Sequence, residues 1–127
     1  MRFEHFGINV PDARAMAQWL VEYCGLTVLR DLGPEGNNTH FLADDTGRVV
    51  IEIYTNPQAD VPDYPNMHPL EFHFAFAVAG VEEVRDRLLA AGATLFEEVH
   101  LDDGSHLIML RDPWGVPLQL CQRGTPF

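Results

Sequence analysis

The strongest constraint on how this chain can fold is that its second half repeats the pattern of its first. His5 and His73 each open an alternating apolar run, 68 residues apart. Gly25 and Gly92 each close a helical stripe, 67 apart, and Glu52 and Gln119 each sit in the last apolar run of their half, also 67 apart. Self-similarity at this spacing means two copies of one supersecondary unit. In the first copy, Arg2–Val10 reads as a strand by its alternation. Pro11-Asp12 then starts a helix with Asp12 as N-cap and Met16, Trp19, Leu20 and Tyr23 on its apolar face. Strands are predicted at Leu26–Arg30, Thr39–Ala43 and Val49–Tyr54. The second copy gives a strand at Glu71–Val78 and a stripe of Val81, Val84, Leu88 and Ala91. Three strands follow, at Leu95–Val99, His106–Leu110 and Val116–Cys121. The expected fold is therefore α+β: two βαβββ modules in tandem, about 1–54 and 70–123, with mixed sheets curved around a central cleft. Thr55 to Pro69 holds four prolines and little periodicity, and reads as the linker.

Strand alternation sorts the side chains of the first and last strands into two faces. One face carries Phe6, Ile8, Val10, Val49, Ile51 and Ile53 in the first module, and Phe74, Phe76, Val78, Val116, Leu118 and Leu120 in the second. All are apolar, and they suit the helix. The other face carries His5, Gly7, Asn9, Glu52 and Tyr54, then His73, Ala75, Ala77, Gln119 and Cys121. It is small or polar, which suits a cleft. Two imidazoles, one carboxylate and one amide thus occupy matched, like-facing positions. A lone histidine on a strand is usually just a hydrogen-bonded side chain, but two matched pairs weaken that reading. Imidazole and oxygen donors together suit one divalent ion of Ni, Co, Zn, Fe or Mn, held by His5, Glu52, His73 and Gln119. His40 and His106 fall at roughly equivalent third-strand positions, and read as paired or surface groups before pocket groups. His68 and His100 read as solvated.

Composition narrows the partners. A net charge of −11 excludes a basic surface for nucleic acid or anionic membrane. No apolar stretch approaches the ~18 residues of a membrane span. The first residues lack the apolar core of a leader, and the two cysteines, Cys24 and Cys121, form no disulfide framework, so a reducing cytoplasm is expected.

These motifs resemble the vicinal oxygen chelate superfamily, which includes glyoxalase I, extradiol dioxygenases and bleomycin-resistance proteins. The resemblance spans nearly the whole chain. It rests on His5, on Val50-Ile51-Glu52-Ile53, on His73 and on the run from Asp112-Pro113-Trp114-Gly115 to Gln119-Leu120. It implies a single glyoxalase-like domain over 1–127, a homodimer, and one divalent metal per site. The nearest resemblance is to bacterial-type glyoxalase I, whose ligands match His5, Glu52 and His73. It departs at Gln119, where that enzyme has Glu, and at Asn9, where it has a glutathione-binding Arg. Asn56 matches a glutathione-contacting residue, and Tyr54 and Cys121 are further substrate-side candidates. The implied function is a metal-dependent lyase or isomerase moving a proton beside a carbonyl, with Glu52 as base and a small molecule as substrate. The alternatives are a 2-His-1-carboxylate Fe(II) dioxygenase and a metal-free drug-binding protein.

Overall fold

A computed structural model describes all 127 residues, Met1–Phe127. By its contacts the chain divides into two compact units, Met1–Pro62 and Asp63–Phe127. No helix is long and apolar enough to cross a membrane.

The first unit contains β1 (Phe6–Asn9), α1 (Ala13–Cys24), β2 (Thr27–Asp31), β3 (His40–Ala43) and β4 (Val49–Tyr54). Its sheet has the order β1-β4-β3-β2, with β1 parallel to β4 and the other neighbours antiparallel. Asp12 caps α1 by accepting a hydrogen bond from the Ala15 amide at 3.0 Å. Gly25 ends the helix in the left-handed conformation, at φ 74°. Met16 and Leu20 of α1 are buried, as are Ile8, Leu42, Ile51 and Ile53 of the sheet. Burying a side chain of this kind contributes roughly 1.5–3 kcal/mol.

The second unit repeats the plan with β5 (Phe74–Ala77), α2 (Val81–Ala90), β6 (Thr94–His100), β7 (His106–Arg111) and β8 (Pro117–Gln122). Its order is β5-β8-β7-β6, and β5 runs parallel to β8. Val81, Leu88, Ile108, Leu110, Leu118 and Leu120 are fully buried. The two βαβββ modules expected from the repeat are thus present, as two mixed four-stranded sheets. Even the irregularities repeat: a bulge falls between Val28 and Arg30 of β2 and between Leu95 and Glu97 of β6.

Three details differ from the sequence reading. The first strand begins at Phe6 and not at Arg2, because pairing to β4 starts at Phe6↔Ile51. The proline-containing stretch is tied down at both ends. Asn9 donates to the carbonyls of Asn56 and Ala59, and Arg111 donates to those of Tyr64 and Met67. Finally, His40 and His106 are not equivalent. His40 faces Ile53, whose counterpart pair is Ile108↔Leu120, while His106 lies farther along, opposite Gln122.

The turn before β8 is built around Asp112. Its Oδ1 accepts from the amides of Trp114 (2.9 Å) and Val116 (2.8 Å). Gly115 must have φ 84°, and a Cβ there would collide with Pro65. Asp112 Oδ2 is buried without a hydrogen-bond partner, and burial pushes the carboxyl pKa up to about 7. The folded state therefore holds this proton more tightly than the unfolded state, whose value is near 3.8. The stability contributed by this group is full below about pH 4 and is lost as pH rises through about 7. Asp112→Asn keeps the Oδ1 acceptor without the titration. Urea denaturation from about pH 4 to about pH 8 should show the stability difference moving in the variant's favour, by up to about 1.4 kcal/mol per pH unit. A pH-independent difference would contradict this account.

Candidate functional site

The register of the parallel pairs sets the site. In the first unit Gly7 lies opposite Glu52, and in the second Ala75 lies opposite Gln119. Each histidine sits two residues before its Gly7 or Ala75 and one before its strand. The four ligand candidates therefore occupy like positions in like units, on the sheet face turned away from the helix.

In the first unit the structure brings His5 and Glu52 together. His5 Nε2 lies 3.2 Å from Glu52 Oε2, and both side chains are partly exposed. The other ring nitrogen, Nδ1, is 3.0 Å from Glu4 Oε1. In the second unit His73 Nδ1 donates to the Pro69 carbonyl at 2.8 Å. A carbonyl can only accept, so Nδ1 carries the proton and Nε2 keeps its lone pair. An oxygen on Nδ1 that orients the ring and fixes its tautomer is the usual support of a metal-binding histidine.

Donor spacing gives a second test of fit. Two ligands about 2.1 Å from one ion and at right angles to each other lie roughly 3.0 Å apart. The 3.2 Å between His5 Nε2 and Glu52 Oε2 is close to that value. The chemistry of the donors, and the spacing of His5 and Glu52, fit a divalent metal.

Sequence reasoning missed Gly7, although glycine inside a strand signals close approach. A Cβ at this position would lie 3.0 Å from Glu52 Oε2 and 3.3 Å from the Tyr54 ring. Glu52 and Tyr54 thus fill the space that a side chain at Gly7 would take.

The remaining candidates are placed as follows. Asn9 is buried, and its amide serves the chain that follows β4. Its Nδ2 donates to Asn56 and Ala59, and its Oδ1 accepts from the Asn56 amide at 2.8 Å. Asn56 Oδ1 accepts from the Gln58 amide. Cys121 is buried, and burial pushes its thiol pKa up, so the thiol stays protonated at neutral pH. Its Sγ donates to Gln119 Oε1 at 3.3 Å. Ala75, Ala77 and Cys121, with Arg123 and Phe127, line a cavity of about 680 Å³, a volume suited to a small molecule. His40 and His106 lie on the helix-side faces of their sheets, opposite to Glu52 and Gln119.

The profile of the Glyoxalase/Bleomycin resistance protein/Dioxygenase superfamily matches residues 2–120. No curated protein matches the chain. The solved glyoxalase family protein from Enterococcus faecalis is 28% identical, with 95% of this chain and 97% of that one covered and a TM-score of 0.70. Lactoylglutathione lyase from Agrobacterium tumefaciens is 20% identical, with 97% and 94% covered and a TM-score of 0.69. An antibiotic binding protein from Streptomyces sp. CB03234 is 17% identical, with 97% and 96% covered and a TM-score of 0.72. The last two likenesses are of fold.

Gly7→Ala isolates the geometry of this site. The variant should fold, since alanine is no worse than glycine in a strand by propensity. Its Cβ should displace Glu52 from His5 and weaken divalent-cation binding about 10–100-fold, as loss of a ligand's supporting contacts does. Circular dichroism and metal titration measure the two effects. Unchanged affinity in a folded variant would mean that Glu52 does not need this space.

Proposed function

The chain belongs to the Glyoxalase/Bleomycin resistance protein/Dioxygenase superfamily, and from that premise we propose that it is a metal-dependent lyase or isomerase of the glyoxalase I type. The observation that carries this reading is the His5 Nε2–Glu52 Oε2 pair at 3.2 Å, in a donor set whose two histidines both have Nδ1 against an oxygen. His5 and Glu52 would supply two ligands to a divalent ion, with His73 and Gln119 as the equivalent donors of the second module. When bound, the ion supplies Lewis acidity toward a substrate with adjacent oxygens. The two modules then act as one glyoxalase-like domain, in a cytoplasmic homodimer. The two free cysteines suit that compartment.

Glu52 takes a proton from the carbon beside the substrate carbonyl and returns it to the neighbouring carbon. A carboxylate has the basicity for this, whereas the amide of Gln119 has none near neutral pH. Proton transfer is therefore one-sided, and one substrate enantiomer is preferred. Gly7 leaves the place beside β1 that the Glu52 carboxylate occupies. Asn9, occupied with the chain at 56–59, offers no cation to a glutathione carboxylate, so a different oxygen-chelating small molecule is the substrate. A purely drug-binding role gives no reason for ring nitrogens anchored in both modules.

Elemental analysis after incubation in Ni, Co, Zn, Mn or Fe(II) should find one equivalent that is lost in both His5→Ala and His73→Ala. Glu52→Gln should keep metal through its amide oxygen and lose turnover about 10²–10⁴-fold, the usual worth of a general base. Gln119→Glu should fold normally and gain activity on the opposite enantiomer. Metal-loaded Glu52→Gln with full turnover would place the base elsewhere. Absence of any equivalent that depends on His5 would remove the metal reading.

A further inference from the structure

The two units differ most at the end of one hairpin. In the first unit the β2–β3 ladder ends with Asp31 opposite His40. The same place in the second unit is Glu98 opposite Ile108, but there the ladder continues to a further pair, His100 opposite His106. Glu98 and His100 are two apart on β6, so they share a face, and His106 joins them from across the ladder. The repeat thus adds two imidazoles beside a retained acid, in the second unit alone.

The side chains meet. His106 Nε2 lies 2.7 Å from Glu98 Oε1. The His100 and His106 rings stack at 3.9 Å between centroids, with 24° between their planes. One ligand atom from each of Glu98, His100 and His106 lies within 4.8 Å of the other two. The His106 side chain is only 8% exposed, whereas His100 is exposed at the strand end. Arg85 of α2 places Nη1 at 3.0 and 3.1 Å from the two Glu98 oxygens, which fixes the carboxylate from the helix side. His106 also borders a cavity of about 400 Å³ lined by Glu82 and Glu83 from the first turn of α2. Glu82 and Glu83 add negative charge on this side, against the one cation of Arg85 that contacts Glu98.

This cluster lies on the helix side of its sheet, since His106 pairs with Gln122, which accepts from the Val81 amide of α2. Gln119, an odd number of residues away on β8, faces the other way. The cluster is therefore separate from the ligand set above and does not depend on it.

We propose that Glu98, His100 and His106 form a second divalent metal site, of the kind that takes zinc(II), holding the two strands of the β6–β7 hairpin together at their end. Two imidazoles, one carboxylate and an open fourth position are a donor set for zinc. The ion takes the place of the proton between His106 Nε2 and Glu98 Oε1, and the neutral ring then carries its proton on Nδ1. His100 turns out of its stack to complete the set, a rotation its exposure permits.

The test is zinc titration of the full chain, followed by calorimetry and elemental analysis after dialysis. Wild type should hold two equivalents per chain. His100→Ala, a change at an exposed position, should hold one, while His5→Ala should also hold one, and the double variant none. Zinc should raise the melting temperature of His5→Ala, which keeps this site alone, but not that of the double variant. His106→Gln, which retains a hydrogen-bonding group, should behave like His100→Ala. Wild type with one equivalent that survives His100→Ala and disappears in His5→Ala would overturn this proposal and leave the first site standing. One equivalent lost in His100→Ala and retained in His5→Ala would do the reverse.

Discussion

Parallel strands cannot be joined by a tight turn, so β1 can reach β4, and β5 can reach β8, only through the rest of their unit. That requirement organises each half of the chain. The helix leaves the first strand, covers one face of the sheet and returns, and two antiparallel strands step back until the last strand lies beside the first. The pairing also fixes register, and register decides chemistry. Gly7 opposite Glu52 and Ala75 opposite Gln119 put the candidate ligands on the face that the helix leaves open. A shift of one residue would turn Ile51 and Ile53 outward and bury Glu52 against α1.

The two faces then serve different purposes with little interference. Under the helices the apolar positions supply the burial that keeps each small unit folded. On the open face Gly7 leaves space beside β1, and there a carboxylate and an imidazole meet within hydrogen-bonding distance. The segments between the modules contribute through backbone contacts. Asn9 and Arg111 reach out to carbonyls at 56–59 and 64–67, which gives chain without regular structure a definite path. Buried carbonyls need donors, and these two side chains provide them.

Much of this was legible in the sequence because the repeat doubles every signal. A period of two along Val49–Tyr54 and again along Val116–Cys121 identifies strands and their faces together, and caps such as Asp12 and Gly25 mark the helix ends. The face shared by His5 and Glu52 followed from the same alternation. What escaped was whatever depends on non-local pairing. Whether His40 and His106 correspond is a question of ladder register, which counting along the chain misses when a hairpin is two residues longer. The oxygens at Glu4 and Pro69 that orient the two histidines were likewise unreadable, one belonging to an ordinary surface acid and the other to a backbone carbonyl. The convergence of Glu98, His100 and His106 needed the hairpin pairing before these residues looked like anything but charged and polar surface.

The differences between the repeats are as informative as their likeness. A duplicated module begins with two equal halves, and proton transfer at one substrate carbon needs only one base. Here the half with the carboxylate also has the glycine, and Glu52 occupies the space that a side chain at position 7 would take. The half with the amide has a neighbour that restrains it, since Cys121 donates its S–H to Gln119 Oε1. A thiol kept neutral by burial is suited to that role, because a thiolate there would repel the amide oxygen. Positions 7, 52, 75, 119 and 121 are thus where the open faces of the two modules part company, a glycine beside a carboxylate in one and an alanine beside a restrained amide in the other.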